Sequence, residues 1–371
     1  MSVKRTIAVV TGSRADYGLL RSVIHAIDAE EDLSLALIRT GTHDLPPAHT
    51  STEVEAEFEV TAAVEMQRPD QIGRISDVIA LGGGILRLGG ELSVIEPDVV
   101  LVLGDRIEAF AAAAAGAVAG VRVAHMHGGD RAEGIADESL RHAITKLAHI
   151  HLPATEESAG RIIRMGEDPE RVHVVGSSAI DGLKVIAPLD DELYEEYGRP
   201  EIVFLLHPTG RGDDEEHADG RRLLDIALGA GRVFALHPNH DPGRRGILRA
   251  VEETPGLIDR PHLRREHFIG LLRRARVIVG NSSAGLIECA AVPIRAVNVG
   301  PRQNGREKPG NVIDCPEWDS VAIESALRRA LSDPAPAYDG RYGEGDAGPR
   351  TAELLASFDS DKHGLRKRNT Y

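Results

Sequence analysis

The chain has 371 residues, 42% of them hydrophobic, and a formal net charge of −15. That length suffices for two ordinary domains, and the acidity excludes a general nucleic-acid binder, whose electrostatics need the opposite sign. The two cysteines, Cys289 and Cys315, have no metal-ligand spacing and fit a reduced, cytoplasmic protein better than a disulfide scaffold.

Neither a signal peptide nor a membrane span is read. The N-terminal apolar run is too short for an h-region, and the most apolar segment, AFAAAAAGAVAG (residues 109–120), falls short of the roughly 20 residues a span requires.

The first motif is VVTGSRADYGLL (residues 9–20), a buried strand turning through small residues into a helix expected from Tyr17. Such a turn is a natural anion site. It lacks the Gly-x-Gly-x-x-Gly dinucleotide fingerprint, and Arg14 is its cation. LALIRT (35–40) follows, then a Pro-containing loop (42–53) and a long helix from Ile72 into DVVLVLGD (98–105). The Ala-rich helix leads to VRVAHMHGGD (121–130), a helix around 137–149 to IHLPA (150–154), and EESAGRIIRMG to a strand expected in RVHVVG (171–176).

These Val/Ile/Leu runs do not alternate, which implies strands buried on both faces of a parallel sheet. The pattern restarts after PLDDELYEEYGRP (188–200), with strands in EIVFLLHPT, RVFALHPN, RVIVGNSS and IRAVNVG. SVAIESALRRALSD is the last long helix, ELLASF a short one, and the polar end DSDKHGLRKRNTY is expected to fray. The fold class is therefore α/β, two Rossmann-like doubly wound domains. Residues 1–185 form the first, 186–340 the second and nucleotide-binding one, and 341–371 a C-terminal helix and polar tail.

In open α/β sheets ligands bind outside the carboxyl ends of the strands. Those ends carry Arg14, Asp105 with Arg106, and the run from His125 to Asp130 in the first half. In the second half they carry His207, Asn239, and Ser282 with Ser283. Asp105 and Arg106 read equally as a cleft carboxylate with a phosphate ligand or as a helix cap with a solvated first turn. His125 and His127 are two metal-type side chains without a third ligand, so no metal site is assigned. Asp130 lies on a loop, and Asp137 and Glu138 open a helix. Such carboxylates can divide acid and base roles, or simply favour a helix N-terminus. His207 can bond the backbone, donate to phosphate or move a proton. Ser282 and Ser283 can cap a helix or donate to a diphosphate, with Glu288 further along for ribose hydroxyls. Arg302, with Arg306 and Lys308, makes a basic loop suited to an anion or to solvent.

Together, TGSRADYGLL, GDRIEAF, HMHGGD with DESLRHAITKLAH, HPTG, PNHDPG, GNSSAGLIE and GPRQNGRE resemble the hydrolysing UDP-N-acetylglucosamine 2-epimerases. The resemblance covers roughly Thr11 to Asp314. It implies a glycosyltransferase-B type fold with a cleft between its domains. The implied reaction converts UDP-N-acetylglucosamine and water to N-acetylmannosamine and UDP, without a cofactor or obligatory metal. It further implies homo-oligomers, dimers or tetramers. By resemblance, Arg14, Arg106, Ser282, Ser283 and Arg302 hold the diphosphate, Asn239 and Glu288 the nucleoside, and His207 assists the leaving group. Asp105, Asp130, Asp137 and Glu138 are the candidates for proton transfer, with base and acid left open. The chain departs from many relatives by carrying Asp130 where they carry Glu, and from some by carrying His127. A diacetamido sugar, a GDP-linked donor, a glycosyltransferase and a silent nucleotide-sugar binder stay open as alternatives.

Overall fold

The computed structural model describes residues 4–45, 50–69, 73–131, 138–239, 241–359 and 362–370. Contacts divide it into two units, one of Met1–Asp130, Asp137–Asp181 and Arg341–Tyr371, the other centred on Gly182–Gly340. The change falls at Asp181/Gly182, and the C-terminal stretch belongs with the first unit.

The first unit begins β1 (Arg5–Thr11), α1 (Arg14–Ala29), β2 (Leu33–Gly41), α2 (Ser51–Glu57), β3 (Val60–Glu65) and α3 (Arg74–Ile95). It continues β4 (Val99–Leu103), α4 (Ile107–Ala119), β5 (Arg122–Met126), α5 (Glu138–Leu147), β6 (Ile150–Leu152) and α6 (Glu156–Arg164). Its sheet runs β3-β2-β1-β4-β5-β6, with every pairing parallel. Two-sided burial explains the unbroken apolar strands. In β1, Ile7 and Val9 enter one core and Ala8 and Val10 the other. In β4, Val99, Leu101 and Leu103 oppose Val100 and Val102 in the same way. Each fully buried aliphatic side chain contributes about 1.5–3 kcal/mol. The Ala-rich α4 lays Ala111, Ala112 and Ala113 against the sheet. It is not the longest apolar helix: α3 has 22 residues, long and apolar enough by length and composition to cross a membrane. Leu88 and Leu92 of α3 pack into the sheet's core, while Ile75, Leu86 and Val94 are exposed.

The second unit repeats the plan. After α7 (Asp191–Glu196) come β7 (Ile202–Leu205), α8 (Asp213–Ala230), β8 (Val233–Leu236), α9 (Arg244–Glu252), β9 (Ile258–Arg260) and α10 (Arg265–Leu272). Then follow β10 (Val277–Gly280), α11 (Glu288–Ala291), β11 (Arg295–Val299), β12 (Val312–Cys315) and α12 (Ser320–Ser332). Its sheet order is β12-β11-β10-β7-β8-β9. Counted within the unit this is the same 3-2-1-4-5-6 order, so each sheet reverses between its first and fourth strands. The switch points lie between β1 and β4 and between β7 and β10.

Several sequence-based expectations change. Residues 171–176 form no strand; Val172 makes a single bridge to His151. The edge strands β3, β9 and β12 were not anticipated, because edges are short or half-exposed and lack the buried signature. The last helix, α13 (Ala347–Ser357), packs on α1 through Ala352 and Leu355. The Asp181 carboxylate fixes its start by accepting from the N–H groups of Ala347 (3.0 Å) and Gly348 (2.8 Å) and from the Ser22 hydroxyl (2.8 Å). The described part of the tail beyond it is tied to the first unit rather than frayed. Arg171 donates to the Gly364 carbonyl (2.9 Å), the Thr370 N–H to the Gly166 carbonyl (3.1 Å), and Lys367 Nζ lies 2.6 Å from Glu167.

Candidate functional site

At the first switch point, α1 begins at Arg14, three residues earlier than the sequence suggested, because Ser13 and Asp16 form a capping box. The Asp16 carboxylate accepts from the N–H groups of Gly12 (2.8 Å) and Ser13 (2.8 Å) and from the Thr11 hydroxyl (3.0 Å). The N–H groups of Gly12 and Ser13 are thus taken by the chain's own carboxylate. Burial pushes the Asp16 carboxyl up, and its donors pull against that. Behind it, His43 donates from Nε2 to Thr11 (3.0 Å) and accepts at Nδ1 from Thr50 (2.7 Å). Burial lowers its pKa to about 4, so it stays neutral. Gly12 is required by close approach: a Cβ there would lie 2.5 Å from the Glu108 side chain. Arg14 keeps a loose pairing to Glu53 at 3.9 Å and is available as a cation.

After β4, Arg106 occupies the N-cap of α4, with Nε 3.4 Å from the buried Glu108 carboxylate. Asp105 pairs instead with Arg141 of α5. Arg141 is 2% exposed. Its guanidinium also donates to Glu138 (2.6 Å) and to the Asp130 carbonyl (2.9 Å). One buried cation therefore draws together three of the four proposed proton-transfer positions. Arg141 stood in the quoted RHAITKLAH stretch but was not singled out, because its i,i+3 pairing to Glu138 looks like an ordinary helix surface pair. Asp137 lies outside the described residues.

Asp130 is held from both sides, by His127 Nδ1 (3.0 Å) and the Ser158 hydroxyl (2.8 Å). His125 is structural. Its Nε2 donates to the Gly104 carbonyl (2.8 Å), tying β5 to the turn after β4. Burial lowers its pKa to about 3. Its neighbour His127 faces Asp130 and Ser177, so the two histidines do not share a ligand position.

At the second switch point the Asn281 side chain clasps the His207 backbone. Its Oδ1 accepts from the His207 N–H (2.7 Å) and its Nδ2 donates to the His207 carbonyl (2.8 Å), joining the ends of β7 and β10. His207 Nδ1 accepts from the Asn239 N–H (3.1 Å), so the ring proton sits on Nε2. Burial first, and then the Arg302 charge, holds the His207 pKa well below its ordinary value. His207 is a neutral Nε2–H donor, not a cation. Arg302 itself bonds the Asn281 carbonyl (3.2 Å), and the Asn239 side chain donates to Asp241 (2.5 Å). Ser282 and Ser283 do not open a long helix. Ser283–Gly285 is a single 3-10 turn capped by Ser282, and Glu288 begins the four-residue α11. Any diphosphate contact there rests on local N–H and hydroxyl donors, with little helix dipole behind them. Lys308 lies 2.6 Å from Asp314, and Arg306 donates to Gln303 (3.1 Å), which like Arg302 donates to the Asn281 carbonyl at the switch point (2.8 Å).

Two doubly wound units, each with polar side chains gathered at its switch point, define a Rossmann-like α/β protein. The family model described as UDP-N-acetylglucosamine 2-epimerase matches residues 25–356. A UDP-N,N'-diacetylbacillosamine 2-epimerase (hydrolyzing) from Legionella pneumophila is 36% identical over 99% of this chain and 100% of its own. A UDP-N-acetylglucosamine 2-epimerase from Neisseria meningitidis is 32% identical over 88% of each. The solved UDP-GlcNAc 2-epimerase of Methanocaldococcus jannaschii, in complex with UDP-GlcNAc and UDP, shares the fold. Its TM-score is 0.81 at 16% identity, covering 94% of this chain and 99% of that one. The chain belongs to the UDP-N-acetylglucosamine 2-epimerase family, among its hydrolysing members.

Proposed function

We propose that this protein is a hydrolysing 2-epimerase of a UDP-linked 2-acetamido sugar, and that the sugar is N,N'-diacetylbacillosamine, a diacetamido-trideoxyhexose. The observation that carries the sugar is the end-to-end match, at 36% identity, to the Legionella enzyme named for it. UDP-N-acetylglucosamine is the second reading, favoured by the Neisseria relative at 32%.

In the proposed reaction a carboxylate takes the C2 proton, the C2–H electron pair forms the C1=C2 bond, and the C1–O pair leaves with UDP. Water then adds to C1 and a proton to the opposite face of C2. The second unit serves the leaving group: Arg302 and the Ser282–Ser283 donors take diphosphate charge, and His207 donates from Nε2. Arg14 and Arg106 add positive charge from the first unit. Asn239 and Glu288 serve the nucleoside. Asp105, Asp130 and Glu138, with Asp137, supply the proton transfers. Preorganised donors of this kind are worth several kcal/mol at the transition state. The reaction so written calls for neither metal nor nicotinamide. A homo-oligomer belongs to the same reading, and the exposed apolar face of α3 is the surface it would cover; the mass from light scattering tests this.

Proton NMR in D2O, with each UDP-sugar in turn, tests the reaction. Free UDP together with a C2-deuterated, 2-epimerised free sugar is expected, faster from the diacetamido donor. No UDP from either donor would sink the reading, and faster release from UDP-N-acetylglucosamine would reverse the choice of sugar. Arg302→Ala should weaken UDP binding roughly 10-fold, the worth of one charged hydrogen bond. Asp105→Asn should keep UDP affinity within about 2-fold yet lose turnover. Calorimetry with UDP reads both, and equal losses of affinity would contradict the division of roles.

A further inference from the structure

Among the described residues, three non-glycine residues have positive φ: Glu96, His127 and Arg199. Glu96 is the left-handed C-cap of α3, and Arg199 follows the end of α7. His127 is different, for it leaves a strand. Its φ is 58° and it is buried. A left-handed conformation in a residue other than glycine costs on the order of 1 kcal/mol or more, so something must hold the ring there.

The ring is held at both nitrogens. Nδ1 lies 3.0 Å from Asp130 Oδ2, and Nε2 lies 3.2 Å from the Ser177 hydroxyl. An ionised carboxylate can only accept. The proton therefore sits on Nδ1, and Nε2 accepts from Ser177. The other carboxylate oxygen, Oδ1, accepts from Ser158 of α6 at 2.8 Å. The turn beneath is fixed as well. Arg141 of α5 donates to the Asp130 carbonyl (2.9 Å) and Arg161 of α6 to the Gly129 carbonyl (3.1 Å). At Gly129, a Cβ would lie 2.2 Å from the Ser158 carbonyl. Among the described residues, the charged groups near Asp130 include Arg141 and Arg161, with Asp105 and Glu138 across Arg141 and Arg131 next in the chain; His125 is neutral behind the strand.

We propose that His127 is a positioning residue: its strained backbone turns Nδ1–H onto Asp130 and fixes that carboxylate for the proton transfers of 2-epimerisation. This rests on the function proposed above. Asp130 touches the reacting atoms; His127 acts through it. A donor to the ionised form favours ionisation, so the bond also sets the pH range over which Asp130 works.

The test compares His127→Ala with His127→Asn in the full chain. Asparagine tolerates the left-handed conformation and places an N–H near the position of Nδ1. His127→Ala should lose roughly 10- to 100-fold in kcat, as for one hydrogen bond to a charged group, with KM little changed. The limb of the pH profile belonging to Asp130 should move to higher pH. His127→Asn should recover most of both. Equal behaviour of the two variants, or an unmoved limb, would overturn the proposal, since a merely structural role would change kcat and thermal stability without moving the limb. A second readout does not depend on activity: nitrogen-15 NMR of the wild-type imidazole should show the Nδ1–H tautomer. An Nε2–H tautomer overturns the proposal even if turnover is found. An Nδ1–H tautomer without turnover on any UDP-sugar leaves the bond standing and removes the assigned reaction.

Discussion

Replacing Arg141 with methionine should lower kcat by roughly 1,000-fold while UDP affinity changes little. The guanidinium is 2% exposed and gathers Asp105, Glu138 and the Asp130 carbonyl. Arginine suits this position because its planar fork makes several directed bonds and stays charged when buried. Methionine fills the volume but leaves two carboxylates without their shared cation. Each would be driven toward protonation by the other and by its surroundings. Removing one partner of a buried ionic cluster typically costs about 3–5 kcal/mol of stability, so the folded fraction must be read alongside the rate. Arg141→Lys separates the two effects. It keeps the charge but loses the fork, so the thermal midpoint should largely recover while kcat stays at least about 100-fold low. Full recovery of kcat in the lysine variant would show that charge alone matters there.

Arg141 marks the limit of what sequence patterns disclose. The sheet strands were legible because two-sided burial leaves an unbroken apolar run, as in DVVLVL before Gly104. β3, whose burial alternates between exposed and half-buried until Val64, and the three-residue β9 carry no such signal. The strand expected at residues 171–176 has the composition of a strand but no neighbour beyond the single bridge to His151.

For the site, residue type and position past a strand end singled out His207, Asn239, Ser282 and Ser283 as candidates, because that rule needs only where strands end. What each does locally was not legible. Asp16 was read only as part of an anion-binding turn, and its carboxylate accepts from that turn's own N–H groups. His207 was open between acid, base and backbone bonding until the Asn239 N–H fixed its tautomer. Glu288 was placed further along the helix opened by Ser282 and Ser283, which is in fact a 3-10 turn followed by four helical residues. Tautomers, caps and pairings depend on side chains brought together from distant segments, and no spacing in the sequence records them.

The polar tail was misread for the same reason, and its correction predicts a second large effect on stability. Lys367→Ala should lower the stability of the first unit by about 3 kcal/mol, and with it the thermal midpoint by several degrees. Glu167 is 1% exposed at the end of α6. Its carboxylate accepts from His151 Nε2 (3.0 Å), Lys146 (2.5 Å) and Lys367 (2.6 Å). Lys367 also donates to the carbonyls of Lys146 (2.8 Å) and Ala148 (2.5 Å), closing the C-terminal end of α5. Burial alone would push the Glu167 carboxyl up. The three donors outweigh it and hold the pKa at about 2, against an ordinary value of 4.5. A carboxyl depressed on folding contributes its full stability above its unfolded pKa and loses it as pH falls through the folded one. The contribution, on the order of 3 kcal/mol, should therefore be complete above about pH 5 and vanish between 4.5 and about 2. Without Lys367 the folded pKa rises toward 4.5, so the acid-induced loss should still begin at the unfolded pKa but end at higher pH and be smaller in extent. Thermal melts of wild type and Lys367→Ala from pH 3 to 7 measure this. The two curves should converge toward the acid end. A difference that stays constant with pH would show that the tail stabilises by packing alone, with no part played by the Glu167 charge.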